Sequence, residues 1–208
     1  MAPQIITSTW PHPEYVRQNL LDFITSNPNN VPDDKAAFVR AADGKVYPRG
    51  QMFRDARRLA HAYVHKLKLK KGDRIGMFSS NSCFYPVAAW ACYISGMVVV
   101  PISPGTGVSE FVHPAQDSGF KYLFVHPSML QDGREGWKQA GSSLKTEDGI
   151  NKIWLLTDSD SLEEGDGGEQ DARTLLGDEE MQPIKLDDPE NTLALVAYSG
   201  GTTGRSKS

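Results

Sequence analysis

The 208-residue chain has only two thiols, Cys83 and Cys92. If they share a helix, nine residues at a rise of 1.5 Å separate them by about 13 Å. A disulfide needs Cα atoms within about 7 Å, so no internal bridge is expected. Both are expected to be free, buried thiols, which suits a reducing compartment. Charge is missing from the whole stretch between Ile75 and Ser109. Pro86, Gly96, Pro101, Pro104, Gly105 and Gly107 divide it into pieces shorter than the roughly 20 residues of a membrane span. A buried strand–helix–strand unit fits better, and no membrane span is expected. Met1 to Pro13 lacks both a charged start and a long apolar core, so no signal peptide is expected. There is no basic excess either: the net charge is −4 and the isoelectric point about 5.7. That argues against nucleic acid or an anionic membrane as partner. The basic run Lys66, Lys68, Lys70, Lys71 and Arg74 reads as cations at a helix C-terminus, with Gly72 as the glycine that ends the helix.

Catalytic constellations are also missing. No serine sits in a Gly-x-Ser-x-Gly elbow, and no nucleophile–base pair can be assembled. His61 and His65 stand at i and i+4, but Ala62 occupies the place where a zinc helix needs Glu. Three cations share their stripe, so they read as a solvated face. His113 and His126 read as isolated surface or loop residues. No catalytic residue and no metal ligand is assigned.

The rest of the chain has a regular rhythm. Residues 1–13 read as a tail. Val16, Leu20, Phe23 and Ile24 have helical spacing within Tyr15 to Ser26. Ala36 to Val39 and Lys45 to Tyr47 flank Asp43-Gly44, a hairpin signal. Gln51 to Leu69 reads as a helix with Phe53, Ala56, Ala60, Tyr63, Val64 and Leu67 inward and Arg54, Arg58, His61, His65 and Lys68 outward. Beyond it, strands and helices alternate. Strands are expected at 75–79, 97–101, 121–126, 152–157 and 193–198, with helices at 83–95, 109–118 and around 136–144. This order predicts an α/β fold, a mostly parallel sheet flanked by helices and buried on both faces. Residues 158–180 are acidic and glycine-rich; they read as a solvated, partly disordered insertion, since Leu162 breaks the calcium-loop pattern begun by Asp158 and Asp160.

The richest chemistry lies at the end. The apolar run Leu193 to Ala197 reads as a buried strand leading into Tyr198-Ser-Gly-Gly-Thr-Thr-Gly-Arg-Ser-Lys-Ser208. Glycines let a backbone approach a ligand, successive N–H groups form an anion nest, and hydroxyls and a lysine add donors and charge. That combination suits oligophosphate. In open parallel sheets ligands bind beyond the carboxyl ends of strands, where this loop would lie. Tyr198 reads equally as a site residue or as an aromatic packed beneath the loop. A Walker A reading of 201–208 fails by one residue, with Ser206 in place of glycine, and would need a helix after Lys207.

The loop resembles the signature of the adenylate-forming superfamily, Tyr-Ser-Ser-Gly-Thr-Thr-Gly-x-Pro-Lys-Gly. Tyr198, Ser199, Gly201, Thr202, Thr203, Gly204 and Lys207 match; Gly200, Ser206 and Ser208 depart. Gly72-Asp73-Arg74-Ile75, Asn81-Ser82 and Val98-Val99-Val100-Pro101 are similar to further segments of that family, and the likeness covers roughly residues 15 to 208. The nearest members are 4-coumarate–CoA ligase-like and other acyl-CoA synthetases. The resemblance implies an incomplete N-terminal, AMP-binding domain over 14–208. It implies Ser199, Gly200, Gly201, Thr202, Thr203, Gly204 and Lys207 as the ATP-phosphate loop, and Mg2+, coenzyme A and a carboxylic acid as further ligands of the family. With neither a signal peptide nor a membrane span expected, the expected setting is intracellular, cytoplasmic or peroxisomal. The motifs for adenine, ribose, metal and acyl group would lie beyond Ser208. The expectation is therefore an enzyme segment inactive alone and binding none of these ligands tightly. The alternative is a non-catalytic paralogue that binds a partner, or itself, through an uncovered apolar face.

Overall fold

The computed structural model describes residues 9–11 and 20–198. A short helix α1 (Leu20–Thr25) precedes a hairpin of β1 (Ala36–Val39) and β2 (Val46–Pro48), then the long helix α2 (Arg49–His65). There follow β3 (Arg74–Phe78), α3 (Tyr85–Ser95), β4 (Val98–Ile102), α4 (Val108–Ser118), β5 (Tyr122–Val125), α5 (Leu130–Gln139), β6 (Ile153–Leu155) and β7 (Gln170–Asp171). Strands β3 to β7 form one parallel sheet in the order β4-β3-β5-β6-β7. The alternation read from the sequence produces the expected α/β fold.

Period-two alternation explains why these strands carry so little charge. Ile75, Met77, Tyr122, Phe124, Trp154 and Leu156 point into one core with α2 and α3. Phe78, Leu123, Val125, Ile153 and Leu155 point into a second core with Phe111 of α4 and Trp137 of α5. A strand buried on both faces has no side left for a charge. The chain leaves β3 toward β4 and returns past β3 to β5, so the helices divide between the two faces.

Four expectations are corrected. First, α5 begins at Leu130, not near Gly136. Gly133 and Gly136 lie inside it, facing the sheet and α4; a Cβ on Gly136 would fall 2.6 Å from the Phe111 ring. Glycine lowers helix propensity, which hid the helix, but here it permits close packing. Second, α2 does not end at Gly72. Leu67 and Leu69 N–H groups close back on Ala62 and Tyr63 carbonyls, both at 3.0 Å, with Lys68 between them at φ 57°. That left-handed position costs an L-residue about 1–2 kcal/mol, and glycine usually fills it.

Third, the acidic segment is structured. β7 extends the sheet, and Asp171 is fully buried. Arg173 donates to both Asp171 oxygens, to Thr157 and to the Ser159 and Ser161 carbonyls. Arg134 of α5 clamps Glu169 and Asp166 in the same way. Composition predicted solvation because it counts carboxylates without their distant partners. Fourth, 193–197 is no buried strand. Val99 N–H donates to the Ala194 carbonyl at 3.0 Å, and Val196 N–H to the Val99 carbonyl at 2.9 Å. This is one parallel bridge at the β4 edge. Leu193 is 57 % and Leu195 46 % exposed, since nothing described covers that side.

Both cysteines are free, but Cys83 precedes α3 and is only half-buried; Cys92 is buried within it. Among the described residues no helix is long and apolar enough to cross a membrane.

Candidate functional site

Ser199, Gly200, Gly201, Thr202, Thr203, Gly204 and Lys207 lie outside the described residues. The structure does describe the root from which that loop leaves. The edge segment runs parallel to β4, so it reaches Tyr198 at the carboxyl pole of the sheet. Tyr198 is tied to α4 there. Its hydroxyl donates to Asp117 Oδ2 at 2.6 Å, and its ring meets His113 edge-on with centroids 5.9 Å apart. Burial, then the hydrogen bond and charge of Asp117, push the phenol up to about 12. It therefore stays a neutral donor at any physiological pH. Tyr198 thus ends the edge segment with its polar tip satisfied by the neighbouring helix, while the loop it was expected to serve or to pack beneath lies outside the described residues.

A cavity of about 310 Å³ opens beside this root, lined by Ser103, Gly105, Thr106, Glu110, Pro114 and Tyr198 among others. It forms because β4 ends in Ser-Pro-Gly-Thr-Gly, a loop that turns on Thr106 N–H to Ser103 carbonyl at 2.9 Å. Gly107 then caps α4, and its N–H reaches the Glu110 carboxylate at 3.4 Å. Hydroxyls, a helix start and an apolar floor therefore meet at the carboxyl ends of β4 and the edge segment. This is where an open parallel sheet takes ligands. Neither Asp117 nor the 103–107 loop was among the expected site residues. The signal was present: a Gly/Pro/Thr turn directly after an apolar strand.

The other candidates are structural. His61 and His65 stack at 4.1 Å, and His61 Nε2 lies 2.9 Å from Glu179. His126 caps the 3-10 turn at 127–129, accepting from Ser128 N–H. Among the described residues no group of three His, Cys, Asp or Glu is placed to hold a metal.

A family model described as AMP-binding enzyme matches residues 24–208. A long-chain-fatty-acid–CoA ligase of Yersinia pestis is 31 % identical over 197 residues, covering 84 % of this chain and 33 % of that protein. The 4-coumarate–CoA ligase-like 8 protein of Arabidopsis thaliana is 23 % identical over 192 residues, covering 90 % and 32 %. A crystal structure of a long-chain-fatty-acid–CoA ligase from Archaeoglobus fulgidus superposes with a TM-score of 0.71 at 22 % identity, covering 95 % of this chain and 37 % of that one. The chain spans about a third of the length of the curated relatives it matches.

Proposed function

Because the chain belongs to the AMP-binding enzyme family, we propose that it supplies the phosphate-binding third of an ATP-dependent carboxylic acid–CoA ligase. In that chemistry a carboxylate attacks the α-phosphate of ATP, giving an acyl-adenylate and pyrophosphate; a thiol such as coenzyme A then displaces AMP. The part of this chain is to hold the leaving oligophosphate. Ser199, Thr202, Thr203 and Lys207 donate to the β- and γ-phosphates, while Gly200, Gly201 and Gly204 let the backbone wrap them. Such a loop works by positioning and by neutralising charge. Mg2+ supplies further charge neutralisation when bound, and no described residue is assigned to it.

The observation that carries this reading is the anchored root: a parallel edge segment ending at the carboxyl pole, with Tyr198 fastened to Asp117. A phosphate-binding segment gains from preorganisation when the residue it leaves from is fixed. The chain alone is expected to be inactive and to bind nucleotide weakly. Calorimetric titration of ATP into the purified chain, with Lys207→Ala as control, tests this. The expected dissociation constant is no tighter than about millimolar, near −4 kcal/mol. Micromolar binding abolished by Lys207→Ala would overturn it and make the chain a self-sufficient nucleotide module.

A second reading, an interaction module, draws on the exposure of Leu193 and Leu195, and of Leu20 and Phe23, which are each 50 % exposed. A cleft of about 560 Å³ joins Leu20, Tyr93, Met97, Ile184, Leu186 and Leu193 on that side. Sedimentation of the chain across concentration decides it: a monomer throughout removes self-association.

A further inference from the structure

The stretch after the 3-10 turn at 172–175 is held by polar contacts more than by burial. No described residue from Leu176 to Tyr198 is buried; each is exposed or half-buried. A strap, 176–192, crosses the outside of the α2–α3 layer, and the edge segment 193–198 then runs along β4. Burial supplies most of the free energy of packing, so a segment without it belongs to the least stable part of a fold.

Its attachments can be followed in order. Leu175, just before the strap, is 4 % exposed, and its carbonyl accepts from Lys66 Nζ at 3.0 Å. Gly177 has no atom within 4 Å of where a Cβ would sit. Beyond it, Met181 N–H donates to the Arg57 carbonyl at 3.1 Å, and Ile184 N–H to the Ile94 carbonyl at 2.9 Å. Arg57 pairs with Glu180 at 2.5 Å, and His61 Nε2 lies 2.9 Å from Glu179. Ile184 sits on Gly96, where a Cβ would collide with its Cδ1. Ion pairs as exposed as these contribute little each.

The strap and the edge segment are joined by a tight turn. Asn191 Nδ2 donates to Asp188 Oδ2 at 2.8 Å, and the Thr192 hydroxyl donates to the Asp188 carbonyl at 2.5 Å. Past that turn, the Ala194 carbonyl and Val196 N–H meet Val99, and Tyr198 reaches Asp117. The whole stretch thus has a buried anchor, an uncrowded glycine after it, and a charged clasp on α2.

We propose that residues 176–198 form a single arm that swings off the α/β body as a unit. Gly177 is its hinge, and the Arg57–Glu180 and His61–Glu179 pairs are its clasp. Opening bares the outer face of α2 and α3, unpairs β4 and takes Tyr198 from Asp117 in one step. The root at the carboxyl pole is therefore set when the strap is seated. The proposal rests on these contacts and not on nucleotide binding.

Hydrogen exchange of the full chain, followed by nitrogen-15 NMR, tests it. The probes are the amides of Met181, Ile184, Val196 and Val99; Val99 belongs to β4 but donates to the arm. The control is Leu123 N–H, bonded to the Lys152 carbonyl at 2.8 Å. The four probes should share one opening equilibrium, at least about a hundredfold less protected than Leu123. Arg57→Ala should accelerate all four by about two- to fivefold, and about 1 M salt should do the same to the unaltered chain. Ile184→Ala should accelerate all four by about tenfold. Leu123 should be unchanged throughout, which separates release of the arm from unfolding. Acceleration confined to Met181 and Ile184 would overturn the single unit. So would acceleration that includes Leu123, or none in either variant.

Discussion

The two edges of the sheet invert the usual rule of burial. At the β7 edge, charged groups are inside: Asp171 is fully buried and Glu169 is 4 % exposed. At the β4 edge, leucines are outside: Leu193 and Leu195 are about half exposed. The β7 edge is a finished surface, closed by the chain's own Arg134 and Arg173. The β4 edge is paired at a single bridge and left apolar. Polar residues can be buried where every lone pair has a donor; apolar ones stay exposed where the covering partner is something else.

Breaking the closed edge should cost most. Asp171→Asn leaves Arg173 without its counter-charge and is expected to destabilise by about 3 kcal/mol in urea unfolding. Acid should do the same to the native chain. Burial works to raise the Asp171 carboxyl, but hydrogen bonds from Arg173 and Thr157 and the Arg173 charge hold it below its ordinary value. Its contribution is therefore complete above the unfolded value near pH 4 and is lost as pH falls through the lower folded value. A variant lacking that carboxylate should show a flatter acid limb; an unchanged limb would remove Asp171 from the account.

Between the edges, the α4–α5 contact tests how far packing is fixed. Gly136→Ala should cost about 1–3 kcal/mol by driving a methyl into Phe111, read as a fall in melting temperature. At the open edge the effects shrink. Tyr198→Phe removes a partly exposed hydrogen bond to Asp117 and should cost about 0.5–1 kcal/mol. Leu195→Lys should change stability by no more than about 0.5 kcal/mol while reducing any self-association in sedimentation. A large loss of stability instead would mean that this edge is as closed as the other.

The sequence made the α/β rhythm legible because strands buried on both faces must exclude charge, as Ile75 to Ser109 does. It misled wherever a residue served a distant partner. Asp171 reads as solvent-loving until Thr157 and Arg173 are placed around it. Asp55, assigned to neither face of its helix from the sequence, is buried against the Tyr47 hydroxyl. Gly136 reads as the start of a helix, whereas it lies inside one that begins at Leu130, against Phe111. Lys68 and Gly72 exchanged roles because both precede β3 and only backbone geometry separates them. At the candidate site, the phosphate-type loop stood out by composition alone. Its anchor Asp117, eighty-one residues earlier, had no local signal.

One stretch of chain joins the two edges. After the 3-10 turn at 172–175, residues 176–192 cross the outside of the α2–α3 layer. Met181 N–H reaches the Arg57 carbonyl at 3.1 Å, Arg57 pairs with Glu180 at 2.5 Å, and Ile184 N–H reaches the Ile94 carbonyl at 2.9 Å. These contacts close loops of ninety residues or more, so their entropy is met only after both helices are in place. On a ribosome the strap and then the edge segment 193–198 emerge last of the described elements. The β4 edge therefore waits, unpaired, until that segment has been made.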